Sequence, residues 1–303
     1  MEFAQIKVEQ KQKGIGVLLV LTAAVLWGVS GTVAQYLFQS EGFHSEWLVV
    51  TRLLTAGLLL LLFSTMNKEK PVFEIWKNKK DVKAIIIFGI LGMLAVQYTY
   101  FVAIEVSNAA TATLLQYVAP VFITIYLSMK LKRMPRRVET IGIFLALIGT
   151  FLLVTNGNFH ELSISKSALF WGLLSALALA FYTLYPINLI RRYSSSIVIA
   201  WGMIIGGIGM SVYHQPWNVE GNFHISSIIA IIFVIIFGTL IPFYCYLESL
   251  KYLSASETSL LACAEPLSAA LLAVIWLQVS FGLGEWLGAF CIIGTIILLS
   301  KTK

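Results

Sequence analysis

Long runs of apolar residues, separated by short polar segments, fill almost the whole chain. Each run is about 20 residues long, the length that an α-helix needs to cross ~30 Å of hydrocarbon. Ten runs meet this condition, at about 14–37, 47–65, 84–103, 108–129, 138–155, 168–189, 197–213, 225–249, 255–277 and 281–299. The pattern predicts an all-α integral membrane protein with ten transmembrane helices.

Composition supports this interpretation, because 58% of the 303 residues are hydrophobic and only 12% are charged, whereas about a quarter of residues are charged in soluble proteins. The first run follows Lys7, Lys11 and Lys13 and could be mistaken for a secretory signal. A signal core has only ~7–15 apolar residues, however, and this run is longer. We therefore expect residues 1–13 to be a cytoplasmic N-terminus and the run to be a retained helix.

The basic residues concentrate in alternate loops. Nineteen of the 21 lie at the two termini and in the loops after every second span, whereas only Lys166 lies on the other side and Arg52 lies inside the second span. Short cytoplasmic loops carry an excess of Lys and Arg, so both termini are expected in the cytoplasm. The net charge of +6 thus indicates orientation in a cell membrane, most simply a bacterial one, and no nucleic-acid partner is expected.

Cysteine and histidine give no sign of a metal centre. The three cysteines, Cys245, Cys263 and Cys291, fall within predicted spans, and an odd number gives no disulfide framework. The four histidines lie in loops without the spacing of a metal site, and no phosphate-binding P-loop is present. We expect no metal, no cofactor and no catalytic residue.

A shift of 146 residues aligns the chain with itself. The matched pairs include Gly92 with Gly238, Tyr100 with Tyr246, Pro120 with Pro266, Glu139 with Glu285 and Gly142 with Gly288. Each half holds five predicted spans, and because five is odd, the second half begins on the opposite side of the membrane. Inverted repeats are typical of secondary transporters that bind substrate near the membrane midplane.

The segments "SNAATATLLQYVAPVFITIYL" with "ETIGIFLALIGTFLLV", and "SASETSLLACAEPLSAALLAVIWL" with "EWLGAFCIIGTIILL", resemble the tandem EamA-type repeat of the drug/metabolite transporter superfamily. The resemblance implies a first repeat at 14–155, an outer connecting loop at 156–166 and a second repeat at 167–300. It further implies a carrier that exports or exchanges small metabolites, with a cavity lined mainly by the first, third, fourth, sixth, eighth and ninth helices.

Glu265 lies about ten residues into the ninth span, or ~15 Å from its start at 1.5 Å per residue. An ionisable group at this depth usually faces a cavity or a partner. Glu265 shares one helical face with Glu257 and several hydroxyl residues. It is therefore a candidate for proton coupling or for binding a substrate cation, or else a protonated acid that is hydrogen-bonded to a neighbouring helix.

The two prolines, Pro120 and Pro266, lie midway along their spans and predict helix kinks, since proline frees a backbone carbonyl. The kinks could bend each half during transport or could serve packing alone. The residue before Pro120 is Ala119, where the second half has Glu265. The fourth span carries neutral polar residues instead, of which Thr111 and Gln116 are candidates for substrate hydrogen bonds or for contacts between helices.

Arg52 has three possible roles at the outer end of the second span. It could extend to the membrane interface, form an ion pair with Glu105 at the outer end of the third span, or attract an anionic substrate group. Aromatic and amide side chains complete the set of cavity candidates, because aromatic rings can enclose apolar or cationic ligands. These candidates are Trp27, Gln97, Tyr100, Tyr182, Tyr185 and Tyr244.

The sequence favours a secondary carrier of a small-molecule substrate in the lipid bilayer, with protons as a possible coupling ion. A membrane enzyme such as a lipid-linked group transferase would need clustered carboxylates or histidines at one interface, and the sequence has none. A channel usually contains several copies of a short pore segment, which an inverted duplication does not supply.

Overall fold

The computed structural model describes residues 2–66, 71–132, 134–155, 165–266, 268 and 283–300. Every regular element in this part of the chain is helical, and it contains no β-strand. The first half holds α1 Glu2–Gln39, α2 Ser45–Met66, α3 Lys79–Ile87, α4 Ala95–Glu105, α5 Ala109–Gln116, α6 Ala119–Leu131 and α7 Arg137–Thr155. The second half holds α8 Lys166–Leu184, α9 Ile187–Arg192, α10 Ser195–Tyr213, α11 Ile225–Ile235, α12 Ile241–Ser249, α13 Ala255–Leu261 and α14 Leu283–Ser300.

Six helical stretches are long and apolar enough to cross a membrane. They correspond to the first, second, third, sixth, seventh and eighth predicted spans: Gln12–Gln39, Ser45–Met66, Lys79–Glu105, Lys166–Arg192, Ser195–Tyr213 and Ile225–Ser249. On α2, Leu58, Leu62 and Phe63 are more than half exposed, as expected of a surface that faces lipid.

The other four predicted spans differ from these six. The fourth is divided into α5 and α6, and the fifth and tenth correspond to α7 and α14. The ninth begins with α13 and lies outside the described residues beyond position 268. The total of ten spans therefore stays a prediction.

Helices of the first half pack against helices of the second. The pairs are α1 with α12, α2 with α10, α4 with α8, α6 with α13 and α7 with α14. In terms of predicted spans, these are the first with the eighth, the second with the seventh, the third with the sixth, the fourth with the ninth and the fifth with the tenth. If each span is replaced by its counterpart in the other half, every one of these five pairs becomes a pair that is also observed.

The α2 and α10 pair is close because glycines stand where the helices cross. A Cβ on Gly57 of α2 would come within 3.0 Å of the Met203 side chain, and one on Gly207 of α10 would come within 2.6 Å of the Leu54 side chain. Small residues allow membrane helices to approach closely, and van der Waals packing then stabilises the pair.

Two long helices contain a π-helical segment. Phe88–Leu94 joins α3 to α4, and Ile236–Leu240 joins α11 to α12. Position 90 corresponds to position 236 under the 146-residue shift, and the segments contain the matched glycines Gly92 and Gly238. Segments of this kind often occur at functional sites.

Two helices break just before the predicted kink prolines. The break between α5 and α6 falls at Tyr117 and Val118, ahead of Pro120. The break after α13 falls at Ala262 and Cys263, and residues 264–266 are helical again. Proline has no N–H for the regular helical hydrogen bond, and tighter bonds close the turns, such as the 2.9 Å bond from the Glu265 N–H to the Ala262 carbonyl.

Candidate functional site

A cavity lies among helices of both halves, and its outline takes in about 620 Å³ of non-atom space, open solvent included. The first, third, fourth, sixth, eighth and ninth spans all contribute to its wall, and α2 of the second span contributes as well. The lining residues are Trp27, Ser30, Gly31, Arg52, Val96, Gln97, Tyr100, Phe101, Gln116, Tyr117, Pro120, Leu179, Gly238, Phe243, Ser259, Ala262 and Glu265.

Glu265 is one of two charged groups in this wall, and it is only 5% exposed. The Tyr100 hydroxyl donates to Glu265 Oε1 at 3.2 Å and lies 2.8 Å from Thr113 Oγ1. Thr113 in turn donates its hydroxyl proton to the Ala109 carbonyl at 2.6 Å. Thr113 has no second proton to donate to Tyr100. The single proton of the Tyr100 hydroxyl therefore goes either to Thr113 Oγ1 or to Glu265 Oε1.

The two helix breaks are joined directly. The Tyr117 hydroxyl, at the break of the first half, donates to the Ala262 carbonyl at 2.8 Å, at the break of the second half. Pro266 cannot donate to the Ala262 carbonyl as a regular helical residue would, and this carbonyl accepts from both the Glu265 N–H and the Tyr117 hydroxyl. The Tyr117 hydrogen bond thus joins the two halves at their helix breaks.

Arg52 is the second charged group in the cavity wall, and it is 3% exposed. Its Cζ atom lies 4.1 Å from the centroid of the Phe101 ring and 5.9 Å from that of the Phe243 ring. Within the described chain, its Nε and Nη1 atoms are buried without a hydrogen-bond partner. Arg52 therefore does not extend to the membrane interface.

The predicted ion pair between Arg52 and Glu105 is not formed. Glu105 Oε1 lies 3.0 Å from His44 Nδ1, and Oε2 accepts from the Ser45 N–H at 3.4 Å. Glu105 ends α4 at the surface, whereas Arg52 lies about two turns into α2 and turns toward the bundle interior. Helix rotation separates the two charges, and a sequence pattern alone does not determine it.

The cavity brings together several other predicted residues. Trp27 packs edge to face on Phe243 with ring centroids 5.0 Å apart, and Gln116 and Pro120 lie at the break of the fourth span. Gln97 is 2% exposed, and both polar atoms of its side chain lack a hydrogen-bond partner among the described residues. Unsatisfied buried amides are rare in proteins.

Five candidates lie elsewhere. Glu257 forms an ion pair with Lys13 at 2.9 Å and caps α13 together with Ser254, so it takes no part in lining the cavity. Tyr182 is fully buried behind the wall and packs on Phe243. The cavity lining also lacks Tyr185, Tyr244 and Pro266. Tyr185 stacks on Phe181, Tyr244 is partly buried against the core, and Pro266 is buried.

The side chain of Thr111 lies outside the described residues. Among the lining residues that sequence reasoning missed, Phe101 and Phe243 flank Arg52, and Tyr117 and Ser259 flank the helix breaks. Tyr117 could have been found from its position three residues before Pro120. Phe101 and Phe243 could not have been found in this way, because nothing in the local sequence distinguishes them from the other apolar residues.

Charged contacts also join the halves at the ends of the bundle. At one end, His44 lies 3.0 Å from Glu105 and 3.2 Å from Glu220, and the hydrogen bond to Glu105 raises the pKa of His44 above its usual value. At the other end, Arg192 donates to both carboxylate oxygens of Asp81 at 2.7 and 2.6 Å.

One exposed group resembles a metal site in its spacing alone. Ligand atoms of His44, Glu46 and Glu105 lie within 4.8 Å of one another. Both ring nitrogens of His44 are already engaged by carboxylates, and exposed acidic clusters are common on protein surfaces. We assign no metal to this group.

Family comparison supplies the wider context for this geometry. The model of the EamA-like transporter family matches residues 14–155 and again residues 166–301. The chain belongs to the EamA-like transporter family. It is a multi-pass membrane protein, since its relatives are membrane transporters and its apolar helices are long enough to cross a bilayer.

Individual members of the EamA-like family extend this result. The chain is 43% identical over 285 residues to the protein named uncharacterized inner membrane transporter YicL of Salmonella typhimurium, covering 94% of this chain and 95% of the relative. It is 24% identical over 238 residues to the uncharacterized transporter YdfC of Bacillus subtilis, covering 78% and 76%. A solved crystal structure that is 17% identical has a TM-score of 0.74 over 93% of this chain and 95% of the other, which shows a common fold.

Proposed function

We propose that this protein is a secondary carrier that exports or exchanges small metabolites by alternating access around the cavity. The observation that carries this proposal is a cavity between the two halves that contains two buried charges, Arg52 from the first half and Glu265 from the second. Ionisable groups inside a membrane usually mark a substrate or ion pathway.

Two inverted halves would provide the moving parts. Three features support this relation: the helix pairs are interchanged when the halves are exchanged, the π-helical segments lie at matched positions, and both halves break a helix just before a matched proline. Rocking of one half against the other around a midplane site is the usual mechanism of such transporters.

The proposed orientation places both termini in the cytoplasm. In a background without the native cysteines, Asn218→Cys is then labelled by a membrane-impermeant reagent from outside the cell, and Lys79→Cys is labelled only after permeabilisation. Both positions are exposed. The opposite pattern would refute the orientation.

Movement of the halves requires that contacts at the bundle ends form and break in turn. The ion pair of Arg192 with Asp81 and the contacts of His44 with Glu105 and Glu220 join the halves at opposite ends. His44 is exposed, and charged pairs at exposed positions contribute little stability each, about 0–1 kcal/mol, whereas Asp81 is buried and also accepts from the Tyr193 hydroxyl. The His44 contacts can therefore hold one end closed without preventing it from opening.

We further propose that Glu265 takes up and releases a proton during transport. When Glu265 is ionised, the Tyr100 hydroxyl donates to it, as observed at 3.2 Å. When Glu265 is protonated, its hydroxyl can donate to Tyr100, which then donates to Thr113, and Thr113 continues to donate to Ala109. In this second arrangement the hydroxyls of Glu265, Tyr100 and Thr113 each donate to the next group. The ionised and the protonated form of Glu265 can therefore both be hydrogen-bonded to Tyr100.

The first experiment identifies transported compounds. Cells that express the wild-type protein and cells with an empty vector are compared by mass spectrometry of the medium, and each enriched compound is tested for counterflow in proteoliposomes. A carrier accelerates exchange when substrate is present on the opposite side, and a channel does not. Absence of counterflow for every enriched compound would refute carrier function.

The second experiment tests Glu265. The substitution Glu265→Gln removes the titratable proton but keeps size and hydrogen bonding, so transport should fall by about tenfold or more, the size expected for loss of one charged interaction, and its pH dependence should flatten. Glu248→Gln is the matched control, because Glu248 pairs with Lys251 and is not among the residues that line the cavity. Unchanged transport at every pH would assign Glu265 a structural role.

A further inference from the structure

Arg52 is a buried cation in the cavity wall, and no carboxylate among the described residues forms an ion pair with it. Within the described residues, Arg52 forms no ion pair, and its Nε and Nη1 atoms have no hydrogen-bond partner. Glu105, the partner predicted for Arg52, contacts His44 instead, and Glu265 in the same cavity wall accepts from Tyr100. A charge removed from water is costly unless a counter-charge meets it, so Arg52 is suited to bind an anionic group that enters the cavity.

The surroundings of Arg52 fix its guanidinium in place. Its Cζ atom lies 4.1 Å from the centroid of the Phe101 ring, and the Phe243 ring lies near it at 5.9 Å. Aromatic faces stabilise a guanidinium group and restrict its plane. A planar fork with donors free to bind is suited to a carboxylate, which accepts two parallel hydrogen bonds from arginine.

Gln97 provides an independent indication of the same ligand. Its side chain is 2% exposed and lines the cavity together with Arg52. Both its Nε2 and its Oε1 atom lack a partner among the described residues. A buried amide is costly unless it is hydrogen-bonded, and a polar group bound in the cavity would supply Gln97 with partners.

We propose that the transported compound carries a carboxylate group, which binds to Arg52 with the help of Gln97. Its apolar part then lies against the aromatic wall of Trp27, Phe101 and Phe243. This inference rests on the proposed function of the cavity as a substrate site. It narrows the substrates to small organic acids, including amino acids, and excludes compounds that have only cationic groups.

Thermal stability of the full-length protein in detergent tests this directly, with benzoate as the probe and benzamide as its uncharged counterpart. Millimolar benzoate should raise the Tm of the wild type by about 2 °C or more, and benzamide should not. Arg52→Met should abolish the rise and, without ligand, should leave Tm unchanged or higher, because it removes a buried unpaired charge. Arg52→Lys should retain a smaller rise, since lysine lacks the planar fork.

Arg191→Met is the matched control, because Arg191 is exposed outside the cavity, and it should keep the full benzoate effect. The proposal is overturned if benzoate fails to stabilise the wild type, if it stabilises Arg52→Met equally, or if only phenylphosphonate stabilises the wild type. It is also overturned if ligand-free Arg52→Met is strongly destabilised, which would indicate a structural arginine.

Release of compounds from cells separates this inference from the proposed function. If the wild type releases compounds that have no carboxylate, or if Arg52→Met releases the same acids at the same rate, the inference fails while transport stands. If the wild type releases nothing above the vector control but benzoate stabilises it through Arg52, transport fails while the carboxylate site stands.

Discussion

The two proline-broken helices are alike in backbone and unlike in chemistry. Both break within four residues of the proline, at Tyr117 and Val118 in the first half and at Ala262 and Cys263 in the second. The residue before the proline differs. Ala119 is fully buried and does not line the cavity, whereas Glu265 lines it and accepts from Tyr100.

The third and eighth spans show the same contrast. Tyr100 and Tyr246 occupy matched positions, and both hydroxyls bond to a threonine, at 2.8 Å for Thr113 and at 2.9 Å for Thr183. Three residues earlier the first half has Gln97, whose side-chain amide has no hydrogen-bond partner among the described residues, and the second half has Phe243.

The two halves share the features that bend helices, but they differ in the polar groups that they place in the cavity wall. Under the proposed function, matched backbones would allow each half to move in the same way. Unmatched polar groups would let the cavity between the halves bind an asymmetric molecule in one orientation. Four predictions test this division, from the largest expected effect to the smallest.

The largest effect is expected when the carboxylate is added at the matched position. Ala119→Glu should destabilise the protein by about 3 kcal/mol, the approximate cost of a charge at the centre of a membrane helix. Thermal unfolding in detergent measures this. Ala119→Gln is the control, since it adds the same bulk without charge. Equal stability of the two variants would mean that the two helices offer equivalent environments.

The matched glycines should respond differently to alanine. A Cβ on Gly238 would overlap the Ser30 side chain, so Gly238→Ala should cost about 1–3 kcal/mol through overpacking, and Ser30→Ala should relieve part of it. A Cβ on Gly92 meets the Phe88 ring instead. Ser30→Ala should therefore not rescue Gly92→Ala.

Thermal unfolding of the single and double variants separates these effects. Gly14→Ala serves as the reference, because among the described residues no atom beyond its own helix turn lies within 4 Å of the added Cβ. Rescue of both glycine variants by Ser30→Ala, or of neither, would contradict the contact between α1 and the second π-helical segment.

The hydrogen bond that joins the two helix breaks should contribute moderately to the stability of the protein. Tyr117→Phe removes the 2.8 Å hydrogen bond to the Ala262 carbonyl and should lower stability by about 1 kcal/mol, the usual net value of one hydrogen bond. Tyr185→Phe is the control, because the Tyr185 hydroxyl has no hydrogen-bond partner within the described chain. A loss of stability no greater than that of Tyr185→Phe would show that the bond does not hold the breaks together.

The smallest effect concerns the contacts at the bundle ends. The pKa of His44 is raised by its hydrogen bond to Glu105, so protonated His44 stabilises the folded state fully below the unfolded pKa of about 6.5. This contribution disappears as pH rises through the raised pKa. The difference in Tm between wild type and His44→Gln should therefore be greatest near pH 6 and should shrink toward pH 8.

Two variants serve as controls for this pH dependence. His214→Gln removes a histidine that faces a backbone carbonyl, and Asp81→Asn breaks the ion pair with Arg192. Both variants leave the contact between His44 and Glu105 in place, so each shows what loss of another charged or polar contact does to Tm. A constant difference between wild type and His44→Gln across the range would contradict the role of the charged imidazole.

The membrane class, the helix breaks and the location of Glu265 in the cavity wall all follow from local sequence. Apolar runs determine which segments leave water, and prolines remove backbone donors wherever they occur, so Pro120 and Pro266 mark the breaks without knowledge of the fold. A carboxylate as deep as Glu265 is costly unless it faces a cavity or a partner, which made it the first candidate.

Only the tertiary structure decided which other polar groups meet there. Arg52 turns inward toward Phe101 and leaves Glu105 to His44, and Glu257 pairs with Lys13 although it shares a helical face with Glu265. These outcomes depend on the rotation of each helix about its axis and on which neighbours it packs against. Packing between distant segments sets both, and no local pattern in the chain specifies either.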